Sequence, residues 1–191
     1  MLNVAFKEWA VICAALATGK QALIIRKGGI AETDGGLFHP EHSRFWLYPT
    51  FVHQQNTGIT TEAMSLLEQS QQNIPEPGTL SLTHFAQVHG VYQIHDLDSA
   101  LALADLHIWS ESTTHQRFAY RQPGLFVLPV RIYAVPTPTI VPVLPEYDGC
   151  KTWVMLDREV TTEQAVSVLD DASFSAVIDA IDSRINPANR V

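Results

Sequence analysis

Residues 22–26 read Ala-Leu-Ile-Ile-Arg, a continuous apolar run with β-branched residues and a cation at its end, as suits a buried strand. Gly28-Gly29 then turns the chain, because glycine alone adopts positive φ without steric cost. A second strand candidate, Arg44 to Val52, is rich in aromatics, and Pro49 demotes it to an edge or a bulge. Between and just beyond these two runs lie His39, His42 and His53, so Gln21 to Gln54 is the stretch where chemistry is expected.

The other elements follow from periodicity. Residues 3–18 carry Val4, Trp9, Ile12, Cys13 and Leu16 near helical spacing, with Gly19 as a stop, and predict a first helix. Thr60 or Thr61 opens a helix with Ala63, Leu66 and Leu67 on its apolar side, ended by Pro75. Thr79 to Ile94 reads as a strand bent at Gly90, and Asp96 or Asp98 caps a short helix to about Leu106. His107 to His115 reads as a polar connector, and 116–121 as a strand or a helix continuation.

Leu125 to Val135 reads as a strand that Pro129 places at an exposed or bulged position. Pro136 to Pro145 holds four prolines in ten residues and is expected to be extended, neither helix nor central strand. Thr152 to Leu156 is a short strand, Thr161-x-x-Gln164 resembles a capping box, and Asp171 caps a final acidic helix at about 171–185.

This order lacks the regular alternation of a doubly wound sheet. It predicts a single α+β domain over 1–191, with a mixed, largely antiparallel sheet flanked by helices. A chain of 191 residues buries enough apolar surface to need no staples. Its two cysteines, Cys13 and Cys150, exclude a disulfide framework and read as reduced thiols, which fits a cytoplasmic location. The apolar run Val11 to Leu16 is too short to span a bilayer.

The net charge is −8, and acids crowd the last thirty-odd residues, from Asp157 to Asp182. Broad non-specific binding of nucleic acid is therefore disfavoured, while a local basic pocket is allowed. Its candidates are Arg26, Lys27 and Arg44 near the front, then Arg117, Arg121 and Arg131.

Several phrases resemble one bacterial family, domain of unknown function 1802. They are Phe6-Lys-Glu-Trp-Ala10, Leu23-Ile-Ile-Arg-Lys-Gly-Gly-Ile30, Leu47-Tyr-Pro-Thr50 with His53-Gln54, Arg117-Phe118, Leu125-Phe-Val-Leu128, Val130-Arg-Ile-Tyr133 and Tyr147-Asp-Gly-Cys150. The resemblance covers nearly the whole chain and implies one intact domain, with no chemistry to carry over.

Three functional readings stand. The first is a binder of an anionic small molecule or a nucleic-acid end. Arg26, Lys27, Gly28, Gly29 and Arg44 would cradle phosphate, Tyr48, His53 and Gln54 would line the pocket, and Arg117, Arg121 and Arg131 would converge on the same charge. The second is a metal-dependent hydrolase in which His39, Glu41 and His42, with His53, hold a divalent metal; the spacing is not that of H-E-x-x-H. Otherwise no cofactor is expected. Glu8 also invites comparison with nucleases, but the strand at 22–27 supplies no second acid. The third reading is a protein-interaction module using 136–145 or the acidic tail.

Overall fold

The computed structural model describes residues 1–27, 42–52, 54–149, 151–186 and 189–190. The strands are β1 (Leu2–Trp9), β2 (Leu23–Arg26), β3 (Arg44–Thr50), β4 (Thr79–Val88), β5 (Tyr92–Ile94), β6 (Leu125–Pro142), β7 (Trp153–Val160) and β8 (Val166–Ser167). The helices are α1 (Ala10–Ala17), α2 (Met64–Gln72), α3 (Leu97–Leu101), α4 (Glu111–Ala119) and α5 (Asp171–Arg184). The sheet runs β2-β6-β4-β3-β1-β7, with β5 and β8 also on β6. Only β1 and β3 are parallel among these pairs. This is the expected α+β domain with a mixed, largely antiparallel sheet.

The first half of the expected helix at 3–18 is a strand. β1 lies between β3, with Ala5 opposite Trp46, and β7, with Phe6 opposite Trp153. Val4 and Phe6 enter one core, with Leu23, Ile24, Phe45 and Leu47, while Ala5 enters a second, with Trp46, Tyr48, Phe85 and Tyr147. A segment buried on both faces shows no clean period of two, so its apolar residues also fit helical spacing. The helix begins only at Ala10, where the Gln54 side-chain carbonyl accepts from Val11 N at 3.1 Å, satisfying an otherwise free N-terminal amide.

Pro49 and Pro129 sit otherwise than expected, while the proline-rich stretch after them is extended and off the sheet centre, as expected. Pro49 lies in a central strand, but β4 pairs only with Arg44 to Trp46, so the missing N–H falls beyond that ladder. Pro129 is buried, not exposed; it pairs with Leu23, and its carbonyl accepts from His89 N just past the end of β4. The proline-punctuated stretch continues β6 to Pro142, with Thr79 to Leu82 opposite 139–142, and no strand is paired on its other side there among the described residues.

The connector after His107 is also corrected: Ser110 caps α4, accepting from Thr113 N at 3.3 Å. Thr161 to Gln164 opens no helix, and Gln164 sits at φ +59. α5 is capped by Asp170, which accepts from Ser173 N at 2.7 Å. Among the described residues no helix is long and apolar enough to cross a membrane.

The sheet curls until its ends meet. Arg26, at the end of β2, reaches Glu8 of β1 and Thr152 just ahead of β7, although β2 and β7 are the two ends of the strand order.

Candidate functional site

The ends of β1 and β2 converge beside α4. Val4, Phe6 and Glu8 alternate on one face of β1, so the apolar row ends in a carboxylate that is 3% exposed. A buried charge requires partners. Glu8 Oε2 accepts from Arg26 Nη1 at 3.1 Å and Oε1 from Trp9 N at 2.9 Å. Arg26 Nη2 also donates to Thr152 Oγ1 at 2.9 Å, and its guanidinium lies 5.0 Å from the Phe6 ring centre. Arg26 is thus held by the protein itself.

Arg117 comes to the same corner from α4. Its guanidinium lies 3.6 Å from the Trp109 ring centre, and Trp109 meets Trp9 edge to face at 4.8 Å. One nitrogen, Nη1, donates to the Ile25 carbonyl at 3.3 Å. Among the described residues no carboxylate forms an ion pair with it. Burial pushes its pKa down, Glu8 pulls it back up, and Arg26 lowers it further. In front of Arg117 opens a cavity of about 310 Å³, walled by Trp9, Gln55, Thr57, Gly58, Ser112, Thr113 and Gln116. Gly58 is required there, because a Cβ would meet the Trp9 ring at 2.7 Å.

Lys27 opens onto a second recess, of about 670 Å³, shared with Gln93, Tyr120, Arg121, Gln122 and Phe126. Its ammonium donates to the carbonyls of Phe118, Gln122 and Gly124, closing the C-terminal end of α4, and burial lowers its pKa. Arg121, at φ +62, has its guanidinium 5.1 Å from the Tyr120 ring centre.

The six cations named from the sequence do not share one recess. Strand alternation puts Arg44 and Tyr48 on the face of β3 with Trp46, and Arg131 on the face of β6 with Tyr133, on the side of the second core. Arg44, Gln87 and Arg131 form one row across β3, β4 and β6. Arg44 lies 4.9 Å from the Phe85 ring centre, and Arg131 is paired with Asp171. Tyr48 is covered by Lys7 at 5.4 Å; burial, then Asp148 and Tyr147, raise its pKa. Gln54 caps α1. His42 packs edge-on against Trp153 at 5.1 Å. Gly28, Gly29, His39, Glu41, His53 and Cys150 lie outside the described residues. Among the described residues no three His, Cys, Asp or Glu side chains are grouped to hold a metal.

The family described as Domain of unknown function (DUF1802) matches residues 5–180, from β1 into α5. The chain belongs to the DUF1802 family. No curated protein matches it. Among solved structures, this DUF1802 chain is similar to an ASCH protein from Zymomonas mobilis, at 13% identity, over 92% of this chain and 93% of that one, with a TM-score of 0.46. A mutant of the same Zymomonas mobilis protein matches at 12% identity over 94% and 98% of the two chains, with a TM-score of 0.47.

Sequence reasoning on this DUF1802 chain named Trp109 among aromatics able to stack a base but missed Trp9, which stands a hundred residues away and meets it edge to face, with Trp109 held by an isolated bridge to Ile59. The usable signal was the Glu8-Trp9 pair ending an apolar row. Chemically, the DUF1802 corner offers a guanidinium with spare donors, an aromatic wall, three hydroxyls and two amides around one cavity.

Proposed function

We propose that the protein binds a small anionic ligand in the cavity before Arg117, a mononucleotide or the phosphorylated end of a nucleic-acid strand. The observation that carries this reading is a half-buried guanidinium, stacked on Trp109, with one donor used and no carboxylate in contact among the described residues. In a chain of net charge −8 such a cation is not left unpaired for want of acids. A bound phosphate or carboxylate supplies the missing counter-charge and takes the guanidinium fork in two parallel hydrogen bonds. Trp9 lends aromatic surface to a base, and Gln55, Gln116, Thr57 and Thr113 offer donors and acceptors to a sugar or base edge. At about 310 Å³ the cavity stands at the small end of ligand sites and suits one nucleotide, not a duplex. Arg26 shapes the site while staying with Glu8, and Lys27 and Arg121 add positive potential from the neighbouring recess.

Calorimetry with AMP and adenosine on the wild type and on Arg117→Met tests this. AMP is expected to bind at least tenfold more tightly than adenosine, and Arg117→Met to abolish that preference while the protein stays folded by circular dichroism. Equal affinity for the two ligands, or an unchanged preference in Arg117→Met, overturns the reading.

A further inference from the structure

A third cavity, of about 360 Å³, opens between α1, α2 and the strands β3 and β4. Its space comes from α1: Ala10, Ala14 and Ala17 line it, where longer side chains would fill it. Leu47, Phe51 and Leu66 close the opposite wall.

The lining is unlike that of the Arg117 cavity. The chain has 12 basic and 20 acidic residues, yet none of the side chains around this cavity is Lys, Arg, Asp or Glu. Its titratable groups are Cys13 and His84. Burial pushes the Cys13 thiol up, with Glu8 adding to the effect, and pushes the His84 imidazole down, so both are neutral at pH 7. His84 Nδ1 is 2.9 Å from Thr83 Oγ1, which leaves Nε2 for another partner. Gln69 and Ser70 of α2, Asn73 just past its end, and Thr18 and Ser81 supply the other polar groups.

An ion entering such a cavity loses water and finds no counter-charge, whereas a neutral ring loses little and gains contacts with the alanine and leucine walls. A volume of about 360 Å³ falls within the span of small-molecule sites. We infer that the protein has a second binding site, between α1 and α2, for a small uncharged ring compound carrying one hydrogen-bonding group directed at His84 and Thr83. It is separate from the anion cavity in both lining and charge, and stands without it.

Indole, with its anionic and cationic homologues indole-3-acetate and tryptamine, probes this on the full chain. Cys13 lines the cavity and serves as the reporter, its alkylation by iodoacetamide followed by peptide mass, which separates it from Cys150. Indole at millimolar concentration is expected to slow Cys13 alkylation at least threefold, and the charged homologues at the same concentration less than half as much. Ala14→Phe should remove the protection, and Ala17→Leu, a smaller filler at another half-exposed position, should weaken it. Absence of protection by indole, equal protection by its charged homologues, or full protection persisting in both variants overturns the inference. AMP affinity, measured alongside, reads the Arg117 cavity independently, so failure of one site is distinguishable from failure of the other.

Discussion

Arg26 Nη1 lies 3.1 Å from Glu8 Oε2, joining the first strand of the hydrogen-bonded order to a strand near its far end. The ion pair does what backbone ladders do elsewhere in the sheet: it holds two strand ends together, with Thr152 as the third member.

Removing one side of this pair strands the other in a poorly solvated place. Truncating a partner in a fully buried pair costs about 3–5 kcal/mol, and Arg26 keeps some access to water, so Glu8→Gln is expected to cost about 2 kcal/mol. Urea unfolding measures it. The double variant Glu8→Gln with Arg26→Met should recover about half of the loss; full additivity of the two single effects would show that the pair does not couple.

Gly58 sits against the Trp9 ring with no room for a methyl group: a Cβ there would lie 2.7 and 2.9 Å from two ring carbons. Gly58→Ala is expected to cost about 1–3 kcal/mol through the displacement of Trp9. The same shift narrows the Arg117 cavity, so AMP affinity should fall with it. An unchanged melting temperature and tryptophan emission would contradict the close packing described.

His107 is buried, and its Nδ1 accepts from Trp109 N at 3.1 Å, which leaves the ring proton on Nε2 without a partner among the described residues. Burial lowers its pKa from 6.5 to about 4, with Asp105 opposing and Arg117 assisting. Between those values the unfolded chain binds a proton that the folded chain does not. Its contribution is therefore complete above pH 6.5 and is lost as pH falls toward 4, by about 1.4 kcal/mol per pH unit at most. His107→Asn keeps an acceptor for Trp109 N and does not titrate. Its stability should vary less than the wild type's between pH 6.5 and 4; identical profiles would assign the acid sensitivity to other groups.

Tyr92 OH donates to Asp182, tying β5 to α5. Burial and that carboxylate push the Tyr92 pKa from 10 up to about 12. The folded state thus keeps a proton that the unfolded chain releases above pH 10, and this stabilisation is lost as pH rises from 10 to 12. Tyr92→Phe is expected to cost about 1.5–3 kcal/mol at pH 7, the range for a hydrogen bond to a charged group, and to flatten the alkaline limb. Hydrogen exchange in α5 should accelerate in the variant; unchanged protection would place the anchoring of α5 elsewhere.

Some features were legible in the residues because they rest on local rules. The α2 stripe of Leu66 and Leu67, the α5 stripe of Phe174, Val177, Ile178 and Ile181, and the apolar run of β2 all form where pattern puts them. The bend near Gly90 separates β4 from β5 as expected. β1 was misread because burial on both faces erases the period that distinguishes strand from helix. Pro49 and Pro129 were misjudged because their effect depends on which side of the strand has a neighbour at that level, whereas the stretch from Pro136 is extended at a strand edge, as its prolines require.

The residues by themselves determined an α+β domain, its acidic charge, its family, and the pool of cations from which an anion site must be drawn. Tertiary structure alone decided which of those cations meet. Alternation along β3 and β6 puts Arg44 and Arg131 on the sheet face of the second core, the curl of the sheet gives Arg26 to Glu8, and α4 lays Arg117 on Trp109 before an open cavity. The reason is physical: charge and residue type are local properties, whereas the face, partner and solvation of a side chain are set by neighbours distant in the chain.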